Sequence, residues 1–329
     1  MRTSLFGRLA PSADGGASRA AVAAALAVVY VVWGSTYYGI RVAIDTMPPL
    51  LMASVRFLLA GGLLYALALR RGDRRADPVR AVHWRSAVVV GVALLAVGNG
   101  GVTLGEKYVP SGIAALLVAT VPLWMALFAH LFVGERMRRL AGLGIGVGLL
   151  GVALLLRPGA GGGASPVAML AVLISPLCWA AGSLYSRRAP LPSRPLVATG
   201  MEMLAGGAAL FVAAAAHGEL GQVHADRVTT RSVLAFSYLV VFGSLVAFSA
   251  YIWLLRHAST SLVSTYAYVN PLVAVMLGWW LLGEQVSLQT LVAAAFIVAA
   301  VAMILSRPSS ARQTTSGTDG ARQRTSAAA

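Results

Sequence analysis

Apolar residues in this chain do not alternate with polar ones at the period of a strand. They come in long unbroken runs, and the stretches between the runs are short and hold most of the arginines. A helix crossing the hydrocarbon of a bilayer needs about 20 such residues. Runs near that length lie at 20–40, 49–69, 86–105, 111–133, 139–156, 166–186, 196–216, 231–254, 259–282 and 287–305. They predict an all-α integral membrane protein of ten transmembrane helices, joined by connections too short to hold a separate soluble domain.

Composition points the same way. With 58% hydrophobic and 11% charged residues in 329, a water-soluble fold has too little polar surface to cover its core, so lipid is the solvent for most of the chain. The formal charge of +15 suggests a nucleic-acid partner until the basic residues are sorted by loop. Twenty of the 26 fall in the N-terminal segment, the even-numbered loops and the tail. Five (Arg41, Lys107, Arg157, Arg227 and Arg231) fall on the other side, and Arg56 lies inside a span. This asymmetry predicts that both termini are cytoplasmic, and it accounts for the charge without nucleic acid. Residues 1–19 are then a cytoplasmic segment. Residues 307–329, rich in Ser, Thr, Arg, Gly and Ala, are expected to form a disordered cytoplasmic tail. A cleaved signal peptide over residues 1 to 40 is rejected, because its removal makes the arginine distribution inconsistent. The single cysteine, Cys178, excludes an intramolecular disulfide.

The chain repeats itself. "VATVPLWMALFAHLFVGE" at 118–135 superposes without a gap on "AYVNPLVAVMLGWWLLGE" at 267–284, bringing Pro122 onto Pro271 and Gly134-Glu135 onto Gly283-Glu284, 149 residues apart. "LAGG" at 59–62 recurs at 204–207, and "WGS" at 33–35 has a looser echo in Trp179 and Gly182-Ser183. Only four of the eighteen paired positions are identical, so spacing and order carry the signal. The repeats are 20–157 and 166–306. Five spans in each is an odd number, so the second copy enters the membrane inverted, an architecture of secondary transporters that bind substrate near the midplane.

Polar groups inside the spans are the candidate chemistry. Pro122 and Pro271 each remove a backbone donor and free the carbonyls of Val118 and Ala267, so they are expected to kink their helices. Thr120, Tyr266, Tyr268 and Asn270 stand near enough in sequence to satisfy the freed backbone or to touch substrate. Trp33, Ser35, Thr36 and Tyr37 in the first span, and Ser175, Trp179, Ser183 and Tyr185 in the sixth, suit either a cavity wall or an aromatic belt at headgroup depth. Asn99, Thr103, Ser244 and Ser249 suit substrate contact or interhelical bonding equally. Arg56 and Glu202 are intramembrane charges, each needing a partner or water, and they meet only if their helices adjoin. Glu202 is a candidate for a coupling proton or a substrate ammonium. Glu135 and Glu284 are expected to cap the helices that follow them. Glycines 142, 144, 146 and 148 permit close helix contact, within the subunit or in a homodimer. No phosphate loop, zinc motif or nucleophile elbow occurs, and His217, Glu219, His224 and Asp226 match no metal-site spacing, so no cofactor, metal or enzymatic activity is expected.

Three stretches, "VVWGSTYYGIRVAIDTMPPLLMASVRFLLAGG", "LLAVGNGGVTLGEKYVPSGIAALLVATVPLW" and "STYAYVNPLVAVMLGWWLLGE", resemble the EamA branch of the drug/metabolite transporter superfamily over residues 20 to 305. The resemblance implies ten helices as two inverted EamA repeats in the bacterial inner membrane. It also implies a central cavity lined from the first, third, fourth, sixth, eighth and ninth helices. That maps Trp33, Asn99, Thr120, Trp179, Ser244, Tyr268 and Asn270 as lining. Family members move amino acids, other metabolites and drug-like molecules, often outward. The expectation is therefore a transporter of small molecules; a membrane-embedded enzyme and a non-transporting scaffold are the alternatives.

Overall fold

The structure, a computed structural model, describes residues 18–70, 78–157, 164–258, 260–263 and 265–306. The predicted N-terminal segment, apart from its last two residues, and the predicted tail lie outside the described residues. The described elements are all helical. Eight helical rods are long and apolar enough to cross a membrane, and two further apolar helices, Arg139–Leu155 and Tyr266–Leu282, are 17 residues each.

In chain order, α1 (Arg19–Ala43) and α2 (Pro49–Arg70) come first. The third rod is composite: α3 (Ala81–Gly91), a π-helical segment (Val92–Asn99) and α4 (Gly100–Gly105). The fourth is broken into α5 (Ser111–Val118) and α6 (Val121–Val133), and α7 (Arg139–Leu155) closes the first half. The second half runs α8 (Pro166–Ser186) and α9 (Pro195–Ala216), followed by a rod of α10 (Thr230–Tyr238), a second π-helical segment (Leu239–Val246) and α11 (Ala247–His257). It ends with α12 (Thr260–Val263), α13 (Tyr266–Leu282) and α14 (Leu288–Leu305).

Local chemistry sets several of these boundaries. Ser18, Ser165, Thr229 and Ser287 each accept from a backbone N–H three residues on, and so start α1, α8, α10 and α14. Gly134 and Gly283 stop α6 and α13 in the left-handed conformation that only glycine adopts without strain. Pro122 stands at the first turn of α6, where its missing N–H is no loss, and the helix is interrupted just before it, at Ala119 and Thr120. The expected kink is thus a break in this span. Pro271 is different: it lies within a continuous α13, and the interruption comes earlier, at Thr265.

Packing joins one half of the chain to the other. The closest pairings are α2 with α9, α7 with α14, α1 with α13 and α11, and α8 with α6 and the first π segment. α2 with α9 and α7 with α14 pair counterpart with counterpart, and the packing of α1 on α13 and α11 is repeated by that of α8 on α6 and the first π segment. The two LAGG sequences are the seam between α2 and α9. A Cβ on Gly61 would stand 2.7 Å from Met203 Cβ, and one on Gly207 would stand 3.0 Å from the Leu58 nitrogen. On α7, Gly144, Gly148 and Gly151 face α14 and Leu123, whereas Gly146 has open space in front of it. One set of glycines thus makes an internal contact. The other faces outward, in a groove of about 610 Å³ with Leu143, Val147 and Leu150.

Candidate substrate pathway

The two π-helical segments occupy equivalent places, the third rod of each half, 147 residues apart. A π turn widens the helix, shifts its backbone bonds and recurs at functional sites. Three groups converge on the second one. Trp33 Nε1 of α1 donates to the Gly243 carbonyl at 3.2 Å, and Arg56 Nε of α2 donates to Ser244 Oγ at 2.9 Å. Arg56 Nη2 and Thr36 Cγ2 lie 3.2 and 3.1 Å from where a Cβ on Gly243 would stand, so the close approach needs glycine there.

Arg56 is 4% exposed, and its guanidinium lies 5.0 Å above the Phe57 ring. Its Nη1 is buried without a hydrogen-bond partner. Glu202 lies on α9, which does adjoin α2, yet no ion pair joins it to Arg56 among the described residues; the Nε donor of Arg56 goes to Ser244 instead. The α9 backbone at Glu202 instead packs on Gly91.

The other predicted lining residues divide into two groups. Trp33 heads an aromatic cluster, with ring centroids 5.7 Å from Phe248, 5.2 Å from Tyr251 and 5.3 Å from Tyr266. Asn270 joins this cluster: with its amide nitrogen turned inward it donates to the carbonyls of Tyr266 (3.2 Å) and Tyr30 (3.3 Å), so it ties α13 to α1. Asn99 ends the first π segment, and its side-chain oxygen is buried and unpartnered. Trp179 of α8 packs on that segment, its ring 3.0 Å from a Cβ built on Gly98. Two residues point elsewhere. Thr120 is fully buried at the break between α5 and α6, donating to Leu117 O and accepting from Trp124 Nε1. Tyr268 reaches outward to the Val301 carbonyl of α14 at 3.4 Å.

One group was not singled out in the sequence. Glu106, just past α4, is 0% exposed, and both carboxylate oxygens lack a hydrogen-bond partner. Burial first, then the charge of Glu284, holds its carboxyl well above the usual carboxylate range, while Arg41 and Arg56 act in the opposite sense. Arg41 Nη1 also donates to the Glu106 carbonyl, tying the end of α1 to the end of α4. The available signal was Gly105-Glu106, a Gly-Glu pair like the two in the repeat.

The acidic caps also differ from expectation. Glu284 does not cap α14, which Ser287 starts; its carboxylate crosses to the other half and accepts from Ser111 N at 2.7 Å and Gly112 N at 3.0 Å. Glu135 caps nothing: it is exposed, and its carboxylate has no partner among the described residues. Glu219 is buried and accepts from Leu51 N at 2.9 Å, with His217 4.0 Å away. Among the described residues no three His, Cys, Asp or Glu side chains gather to hold a metal ion.

Apolar helical rods and the packing of one half of the chain on the other define a multi-pass membrane protein. The EamA-like transporter family matches the chain twice, over residues 19–157 and 166–306, and the chain belongs to that family. It is 43% identical over 285 residues to the Escherichia coli protein named uncharacterized inner membrane transporter YedA, covering 85% of this chain and 89% of that one. It is 26% identical over 281 residues to the uncharacterized transporter YvbV of Bacillus subtilis, covering 85% and 90%. A crystal structure at 23% identity superposes with a TM-score of 0.59 over 87% of this chain and 96% of its own, and shares the fold.

Proposed function

We propose that this protein is an alternating-access transporter of the bacterial inner membrane that exports small zwitterionic or amphiphilic metabolites, amino acids among them. In this reading all ten apolar helices cross the membrane, both termini are cytoplasmic, and the face carrying Glu106, Glu219 and Glu284 is external. The 17-residue helices α7 and α13 reach roughly 26 Å at 1.5 Å per residue, close to the hydrocarbon thickness. The family and the names of the relatives support transport over catalysis.

One observation carries the choice of substrate class. Arg56 and Glu106 are both buried and near enough for the charge of Arg56 to act on Glu106, yet each keeps polar atoms unpartnered. Buried polar groups are costly unless something satisfies them, and a zwitterion offers a carboxylate to the guanidinium and an ammonium to the Glu106 carboxyl, which releases its proton as the cation arrives. Aromatic walls at Trp33, Tyr251 and Tyr266 suit an apolar side chain beside those charges.

The test is efflux from liposomes holding the purified protein and a mixed metabolite pool, read by mass spectrometry with and without a proton gradient. Selective loss of zwitterions relative to empty liposomes supports the reading. Equal retention of all compounds, with folded protein shown to be present and a widened pool also retained, ends it.

A further inference from the structure

Three glycines among the described residues adopt positive φ: Gly134, Gly218 and Gly283, and each is followed by glutamate. The local geometry at the first and last is the same. Gly134 has φ 75 and ψ 17, and Gly283 has φ 67 and ψ 21. The N–H of the following glutamate returns to the carbonyl six residues earlier in both, Glu135 to Ala129 at 3.1 Å and Glu284 to Gly278 at 3.0 Å. At Gly283 the turn brings the Glu284 carboxylate back over Gly278, at the end of its own helix. Yet only Glu284 is engaged, on two amides of the opposite half, while Glu135 stands exposed.

The repeat register names the missing partner. The amides held by Glu284 belong to residues 111 and 112, and 149 residues further on lie 260 and 261, the start of the span that contains α12 and α13. Packing shows the same imbalance. At the Glu284 end α5 packs closely on α13, with Gly112 3.1 Å from Val275 Cα by its would-be Cβ, and Gly278 leaves room for the carboxylate. At the Glu135 end α6 and α12 share no comparable packing among the described residues. The two spans also break at different places: 119–120 in one and Thr265 in the other, whereas the register would carry 119–120 to 268–269. Glu219 differs from both, because it clasps α2 and α9, which pack along their length.

We infer that Glu284 and Glu135 are reciprocal latches of the two gates. With the external gate shut, as here, Glu284 holds the start of α5 and Glu135 is free. In the opposite state Glu135 holds the backbone at 260 and 261, and Glu284 lets go. Each carboxylate makes charge-assisted bonds in one state only, so each biases the equilibrium towards the state in which its own gate is closed.

This rests on the alternating-access reading, but its test needs no substrate. In a Cys178→Ala background, Thr36→Cys beside Gly243 reports access to the pathway through labelling by a membrane-impermeant maleimide, applied from either face. Loss of one charge-assisted contact corresponds to about a tenfold population shift. Glu284→Gln should raise the labelling rate from the external face about tenfold, and Glu135→Gln should lower it. Both proteins are checked for folding by size-exclusion profile, and Glu284→Asp, which keeps the charge but shortens the reach, should fall between Gln and wild type. Wild-type labelling in either Gln variant, or shifts of the same sign in both, overturns the assignment. Labelling that shifts as stated while the metabolite pool gives no efflux would leave the latches standing and place the failure with the substrate reading.

Discussion

Ser244→Ala removes the acceptor for Arg56 Nε and leaves in place a guanidinium that is 4% exposed and already has one unused nitrogen. A hydrogen bond to a charged group is worth about 1.5–3 kcal/mol, and an orphaned buried donor costs its full desolvation. Taking about 2 kcal/mol, the folded-to-unfolded ratio falls roughly thirtyfold. Arg56→Met removes the charge along with its needs and fills much of the same volume, so its effect on stability should be small. In the Arg56→Met background, Ser244→Ala should then cost well under 1 kcal/mol, leaving a coupling energy of about 1–2 kcal/mol in the double-mutant cycle. The assay is reversible unfolding in mixed micelles, followed by tryptophan fluorescence, for the four proteins. Transport separates the roles: Arg56→Met should fold and fail to move zwitterions, while Ser244→Ala should keep measurable flux at reduced stability. If Ser244→Ala is as stable as wild type, or costs the same with and without Arg56, the bond is not holding the guanidinium and the reasoning fails.

Four further outcomes follow from the same geometry. Gly91→Ala places a methyl against the Glu202 carbonyl and 2.8 Å from the Gly206 nitrogen, both backbone, so it should destabilise by about 1–3 kcal/mol. Gly146→Ala, with open space in front of it, should be neutral in the same unfolding assay. Gly283→Ala forces a side chain into left-handed backbone at about 1 kcal/mol and should mimic Glu284→Gln in the labelling test by turning the carboxylate away. The Glu106 carboxyl is held above its usual range and faces Glu284, Arg41 and Arg56. The folded protein therefore keeps a proton that the unfolded chain releases, and stability is full below the unfolded value of about 4.3 and falls as pH rises towards the folded one. Wild type should lose stability relative to Glu106→Gln as pH climbs from about 4; parallel curves would refute this.

The sequence alone determined the helical content and the twofold repeat, because both depend on local or periodic information. A backbone in lipid must bond within its own segment, so run length predicts a helix wherever apolar residues persist. Ser18, Ser165, Thr229 and Ser287 act within three residues of themselves, and Gly134 and Gly283 within six. LAGG and the proline-to-glutamate stretches announced a repeat, and the structure shows the two LAGG segments to be one seam. What tertiary structure decided is which way each side chain points. These spans are apolar on every face, so no stripe marks the centre: Trp33 turns to Gly243 while Tyr268 turns outward to α14, though both are aromatic residues at membrane depth. Contacts across the inverted halves are equally invisible. Glu284 reads locally as the cap of the next helix, and it is instead bonded to Ser111, 173 residues earlier. Glu106 stands in a turn beside Lys107, and only tertiary packing buries it, next to Arg41 of α1. Rotation about a uniformly apolar helix has little one-dimensional signature; close-packed glycines and a few polar atoms choose it once the helices have met.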